Sequence, residues 1–290
     1  MARFKINKNK GIEVVEKSVF MLKEKSYPFD NKHVLPDTII PENIKKGSLE
    51  HALLLFCSCS IDSMRPATKV YEAMRNISKE AKLTFLWGYS EGFIEDLVEE
   101  YLEKKGGINK PVESLRYASM KLHMKYGDDP RKLRKSNIDE TLKELQKFKM
   151  IGSGKAALIM KNFVRFGIWK FSKYEIPMKI DRHVIKISVG TGVVEIYDDV
   201  IRSDQLVKPL GQLYRDITSE KKISAIDADD AIWGIGSNIC FKNDIIYCHG
   251  LCNLECKIRP QSDSKATWIH PYKESRKMTK PLSFIRRYNH

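Results

Sequence analysis

Apolar residues recur at helical spacing through most of the chain. Leu53, Leu54, Leu55 and Phe56 belong to a helix beginning near Leu49, and after Pro66, which fits a first helical position, Val70, Tyr71 and Met74 resume the period. Further helices are expected at Val14–Lys25, Phe93–Lys104 and Val112–Lys125, with Gly127 as C-cap of the last. Pro28, Pro36 and Pro41 lie in a polar run that reads as an extended connection. Leu142, Leu145 and Phe148 mark another helix, opened by Ser136 with Asp139 or by Asn137 with Glu140 as a capping box. Met150-Ile151-Gly152-Ser153-Gly154 breaks it, and Ala156, Ile159, Met160, Phe163 and Val164 restart the period. Val184 to Val189, Asp204 to Ile217 (bent or restarted at Pro209) and Asp227 to Cys240 complete the helical set. No alternating strand pattern and no internal repeat stands out, so the chain reads as all-α.

The break at 150–154 predicts a tight hairpin between two helices. Such a turn needs residues that tolerate positive φ, and glycines let an anion approach backbone N–H groups. The second helix starts there, so its first N–H groups and positive dipole end face the same spot.

Charge sharpens this picture. The formal net charge is +14, but residues 131–173 carry a net +9 and residues 257–290 a net +7, leaving the remainder at −2. Positive charge concentrated around an anion-holding hairpin points to nucleic acid. Lys143, Lys147, Lys149, Lys161 and Arg165 are either a solvated face or phosphate contacts. With 290 residues and 42% hydrophobic content, the chain has room for one large or two medium packed domains. Met1 to Lys10 has no apolar signal core and the longest apolar run, Ala52 to Cys57, is too short to span a bilayer, so neither export nor membrane insertion is expected.

Four of the six cysteines, Cys240, Cys248, Cys252 and Cys256, are separated by seven, three and three residues. Metal ligation is favoured over disulfides for such a cluster, and tetrahedral zinc with His249 as spare ligand is chemically feasible.

Three blocks in this order resemble the helix-hairpin-helix base-excision DNA glycosylases of the endonuclease III superfamily. Phe148 to Leu158 looks like the family's hairpin, and Ile180-Asp181-Arg182-His183 looks like its Val-Asp-x-His. Gly236-Ser237-Asn238-Ile239-Cys240 with the next three cysteines looks like its iron–sulfur loop. Weaker similarity reaches back to Leu49, with Cys57 to Asp62 at the position of the DNA-wedging loop.

The resemblance implies a two-lobed all-α fold with a DNA-binding cleft between the lobes. Residues 1–45 would pack with the second lobe, 46–180 would form the helical lobe ending in the hairpin, 181–256 the lobe with aspartate and cysteines, and 257–290 a basic tail. The implied reaction is hydrolysis of the N-glycosidic bond of a damaged, mismatched or modified base flipped out of double-stranded DNA. Asp181 would be the catalytic carboxylate, stabilising positive charge that builds on the sugar; its bland alternative is a simple helix N-cap. Ile151, Gly152, Ser153, Gly154 and Lys155, with Lys149, Arg182 and His183, would lie on DNA. Cys59, Ser60, Met64 or Arg65 would fill the hole left by the flipped base, unless Cys57 and Cys59 are ordinary buried helix positions. Trp87, Tyr89 and Trp233 are candidates to stack on it. The four clustered cysteines would hold a [4Fe-4S] cluster, with zinc as the alternative. A monomer without membrane attachment is expected, cytoplasmic and nucleoid-associated in a prokaryote or nuclear in a eukaryote.

Some positions depart from the family pattern. Ile151 replaces the usual proline, the interval from hairpin to aspartate is lengthened through Trp169 to Glu175, and the cysteine spacing differs. Ala156 stands where strand-cleaving members carry a Schiff-base lysine, and Lys155, one position earlier, points about 100° away on a helix. Base removal without strand cleavage is therefore expected; the alternatives are a lyase using a lysine such as Lys155 and a noncatalytic DNA-binding protein. Glu50 lies too far upstream to match the glutamate of adenine-mismatch members. Gly152-Ser153-Gly154-Lys155 is not a nucleotide phosphate loop, because Lys149 and Ala156 occupy positions requiring Gly and Ser/Thr.

Overall fold

Helices dominate the computed structural model, which describes residues 4–31, 34–62, 65–102, 109–197, 203–240 and Leu254. In chain order these are β1 (Phe4–Ile6), α1 (Lys8–Lys23), α2 (Leu49–Ile61), α3 (Ala67–Glu80), α4 (Glu91–Tyr101), α5 (Asn109–Tyr126) and α6 (Ile138–Gln146). There follow α7 (Ser153–Arg165), α8 (Arg182–Gly190), β2 (Val194–Ile196), α9 (Ser203–Lys221) and α10 (Ala225–Ile235). Short 3-10 turns punctuate them, and Gly236–Cys240 continues α10 as a π-helical turn. The chain divides into two compact units, one of Met1–Val34 with Pro177–His290 and one of Leu35–Ile176.

In the Leu35–Ile176 unit, α2 is the central element. Every residue from His51 to Ile61 is buried, as expected of a helix apolar all round. Ser48 caps its start by accepting the His51 N–H, and α3, α5 and α7 pack against it. The loop that the resemblance implies at Cys57–Asp62 does not occur; the helix runs through to Ile61, and Cys57 and Cys59 are ordinary buried helix positions. Ser58 and Ser60 remain inside because their hydroxyls donate to the carbonyls of Leu54 (2.7 Å) and Cys57 (2.8 Å). The stretch after α7 is anchored by Trp169, which is buried, packs edge-on to Phe163 and donates its indole N–H to the Arg131 carbonyl at 3.0 Å.

In the other unit α1 packs on α9 and α10, and α8 contacts α9 and α10. Gly11 permits the first contact: a Cβ there would lie 2.8 Å from Ile217 Cδ1. β1 and β2 form an antiparallel pair, Phe4 opposite Ile196. Helical periodicity did not reveal this small two-stranded sheet, but the described residues are mostly helical, in keeping with an all-α reading. α9 also runs unbroken through Pro209. No helix among the described residues is long and apolar enough to cross a membrane.

Candidate nucleic-acid interface and catalytic aspartate

Asn137, not Ser136, caps α6: its side-chain oxygen accepts the Glu140 N–H at 2.9 Å, while the Ser136 hydroxyl donates to the Glu140 carboxylate at 2.6 Å. The turn then closes through Phe148 N–H to Leu145 O (3.1 Å) and Ile151 N–H to Phe148 O (3.1 Å). Its left-handed residue is Met150, with φ 70°, and not a glycine. Gly152 is extended (φ −86°, ψ −176°) and serves as N-cap of α7. What its missing side chain provides is space, since no atom lies within 4 Å of where a Cβ would stand. Gly152 and Ser153 are exposed, Ile151 is buried, and the Ser153 and Gly154 N–H groups lie in the first turn of α7, where no helical carbonyl precedes them. This arrangement suits an approaching anion.

The basic residues around the hairpin fall into two sets. Lys147 and Lys149 have exposed side chains, Lys147 pairing with Glu144 at 2.9 Å and Lys149 with Glu113 at 2.6 Å. Lys149 Nζ also lies 4.1 Å from the centroid of the Tyr117 ring. Lys161 and Arg165 belong to neither a solvated face nor a phosphate cradle. Both are turned inward, with Lys161 Nζ 3.4 Å and Arg165 Nη1 3.0 Å from buried Asp37. Burial alone would push the Asp37 carboxyl up, but the charges of Arg165 and Lys161 outweigh it and lower the group to about 2.

Lys155 donates its ammonium to the Ser60 carbonyl, near the C-terminal end of α2. Ala156 is fully buried. The wedge candidates need correction: Cys59 and Ser60 are buried inside α2 and present nothing to a duplex. Cys59 Sγ lies 3.4 Å from the Tyr71 hydroxyl, and Asn162 donates to that hydroxyl at 3.2 Å. Burial, with Cys59 nearby, pushes the Cys57 thiol up to about 12, the behaviour of an inert core cysteine. Arg65 lies partly exposed just before α3, and Met64 lies outside the described residues. Trp87 stacks on His123 with ring centroids 3.7 Å apart, and Tyr89 joins the same cluster through Phe85.

Asp181 belongs to the other unit and is the N-cap of α8. Its Oδ1 accepts the N–H groups of His183 (2.9 Å) and Val184 (3.3 Å). Its Oδ2 lies 3.9 Å from Lys179 Nζ, and both side chains are about one-fifth exposed (21% and 20%). Lys179 is held in turn by its own N–H, which donates to buried Asp229 at 2.8 Å. Neither Lys179 nor Asp229 was singled out in the sequence, although residues two apart in an extended run share a side, a signal that pairs Lys179 with Asp181.

No protein-family model matches this chain, and no curated protein matches it.

Arg182 is exposed, while His183 is half-buried, its ring 6.1 Å from Trp233 and nearly perpendicular to it. Burial lowers the His183 imidazole below its ordinary range, against the opposing pull of Asp181. Gly236 lies so close that a Cβ there would be 2.9 Å from His183 Cβ and 3.1 Å from its carbonyl oxygen. One helical turn further on, buried Lys186 donates to the Cys240 carbonyl at 2.7 Å. Asp181, His183 and Cys240 are therefore joined through α8. Cys240 is buried; Cys248, Cys252 and Cys256 lie outside the described residues, as does the basic stretch 257–290.

Proposed function

We propose that the chain is a helix-hairpin-helix DNA glycosylase that hydrolyses the N-glycosidic bond of a damaged, mismatched or modified base in double-stranded DNA, and that it has the two-lobed fold of that family. The carrying observation is the state of Asp181. One carboxylate oxygen is fixed by two helix N–H groups, the other faces Lys179, and the side chain as a whole is partly exposed. A carboxylate so preorganised stabilises an oxocarbenium-like sugar more than a neutral substrate, because the positive charge appears only as the bond breaks. Supporting it are the open backbone at Gly152 and the first-turn N–H groups of α7, which suit a phosphate. Extruding the base costs a few kcal/mol of unstacking, which phosphate contacts would offset.

The reaction stops at an abasic site in this reading. Lys155 is engaged by the Ser60 carbonyl, and the alternative address, Ala156, has no amine and is buried. Cys240, with Cys248, Cys252 and Cys256, would hold a [4Fe-4S] cluster or zinc in a structural role. The Lys186 ammonium at the Cys240 carbonyl fits the negative charge of a thiolate-ligated centre.

A second reading, a noncatalytic DNA-binding protein, is favoured by the same aspartate, since its bonds to the His183 and Val184 N–H groups are those of an N-cap. Purified protein assayed on a panel of lesion-bearing duplexes, with alkali to reveal abasic products, decides between them. Excision that vanishes in Asp181→Asn supports the enzyme; DNA binding without excision of any base supports the second reading.

A further inference from the structure

A groove on the Leu35–Ile176 unit has chemistry opposite to that of the hairpin. α4 carries Glu91, Glu95, Asp96, Glu99 and Glu100 and no lysine or arginine, within a chain of net charge +14. Between α4 and α5 lies a cavity of about 610 Å³ lined chiefly by Glu91, Glu95, Glu113, Arg116, Tyr117 and Met120. Along α5, Tyr117, Met120 and Met124 follow one another at helical spacing and are 47%, 46% and 74% exposed. Large apolar side chains repeated on the outer face of a helix mark a surface that another element covers. Carboxylates along the rim disfavour a phosphate backbone there.

The protein itself shows what this rim accepts. Lys149 Nζ sits 2.6 Å from Glu113 Oε1 and 4.1 Å from the Tyr117 ring centroid, an ammonium held between a carboxylate and an aromatic face. Arg116 of α5 pairs with Glu91 of α4, and both line the groove. The side chains of both pairs are exposed, so neither pair is strong and incoming cations can exchange with Lys149 and Arg116. An apolar stripe bordered by acidic residues is complementary to an amphipathic helix whose apolar face is flanked by lysine or arginine. We propose that the α4–α5 groove docks such a basic amphipathic helix from a partner protein, its apolar face on Tyr117, Met120 and Met124 and its cations on Glu91, Glu95 and Glu113. The proposal does not rest on the DNA reading, although Lys149 borders both surfaces.

The test uses the full chain and a fluorescein-labelled amphipathic peptide of leucine and lysine, followed by anisotropy. Saturable one-to-one binding is expected, weakened about tenfold by the Tyr117→Ala/Met120→Ala double substitution and about as much by Glu95→Lys. All these side chains lie on the surface, so melting temperatures stay unchanged and misfolding is excluded as the cause. A peptide with serine in place of leucine should bind far more weakly. Equal binding of the serine peptide, or binding indifferent to the three substitutions, overturns the proposal. So does concentration-dependent self-association that the double substitution abolishes, because the occupant would then be a second copy of the chain.

Discussion

Lys155 donates its ammonium to the carbonyl oxygen of Ser60, tying the first turn of α7 to the last turn of α2. Hydrogen bonds involving a charged partner contribute about 1.5–3 kcal/mol, and a cation at a helix C-terminus adds to this. Lys155→Met should therefore lower the unfolding free energy by about 1–2 kcal/mol, measurable by urea denaturation. Borohydride trapping on abasic DNA should yield no adduct before or after the change. A Lys155 adduct would establish a lyase.

Asp181 has a capping role and a proposed chemical one, and two substitutions separate them. Asparagine caps helices about as well as aspartate, whereas alanine costs about 1 kcal/mol. Asp181→Asn should keep the melting temperature and abolish base excision; Asp181→Ala should lose both. If Asp181→Asn excises normally, the aspartate is only a cap.

Gly152 tests the hairpin without touching its fold. Its φ is negative and the space around its missing Cβ is open, so Gly152→Ala should leave stability unchanged. The added methyl obstructs an approaching phosphate, and affinity for duplex DNA should fall about tenfold in a filter or anisotropy assay. Unchanged affinity would remove the hairpin from the interface.

Stability in acid should report on Asp37. Its folded carboxyl is lowered to about 2 from 3.8, so its contribution is fully present above pH 4 and is lost as pH falls toward 2. Glu144, lowered to about 2 by the Tyr126 hydroxyl and Lys147, acts in the same window. Urea midpoints should therefore decline between pH 4 and 2. Asp37→Asn should flatten part of that decline and reduce stability at pH 7 by about 3–5 kcal/mol, because Lys161 and Arg165 stay buried without their carboxylate.

Gly236 and His183 leave no room for a side chain between them. Gly236→Ala forces backbone to move and should cost about 1–3 kcal/mol by thermal unfolding, unlike the neutral change at Gly152. Equal stability of the two alanine variants would show that this contact yields readily.

The helices flanking the hairpin were legible because Leu145, Phe148, Ala156, Ile159 and Phe163 keep a 3.6-residue period and are buried. The turn's backbone was not: a glycine was expected at positive φ, yet Met150 holds it while Gly152 is extended. The resemblance set a wedging loop at Cys57–Asp62 against ordinary buried helix positions for Cys57 and Cys59, and the helix continues because each serine satisfies itself on a preceding carbonyl. Lys161 and Arg165 read as surface cations because their partner, Asp37, lies far upstream, and no local pattern reveals such a pairing. Strands of three residues, far apart in the chain, carry too little alternation to be detected. At Asp181 the helix N-cap was legible from the residue type and its place, whereas the support that Asp229 gives Lys179 depends on tertiary structure.

α8 is only nine residues long, yet it meets the α10 end at Gly236 through His183 and the Cys240 carbonyl through Lys186. Asp181 thus stands at the tip of a short, doubly braced rod. Its orientation depends less on the few residues around it than on the footing of that rod, and a disturbance where the cysteine-rich stretch begins would tilt the carboxylate without touching it.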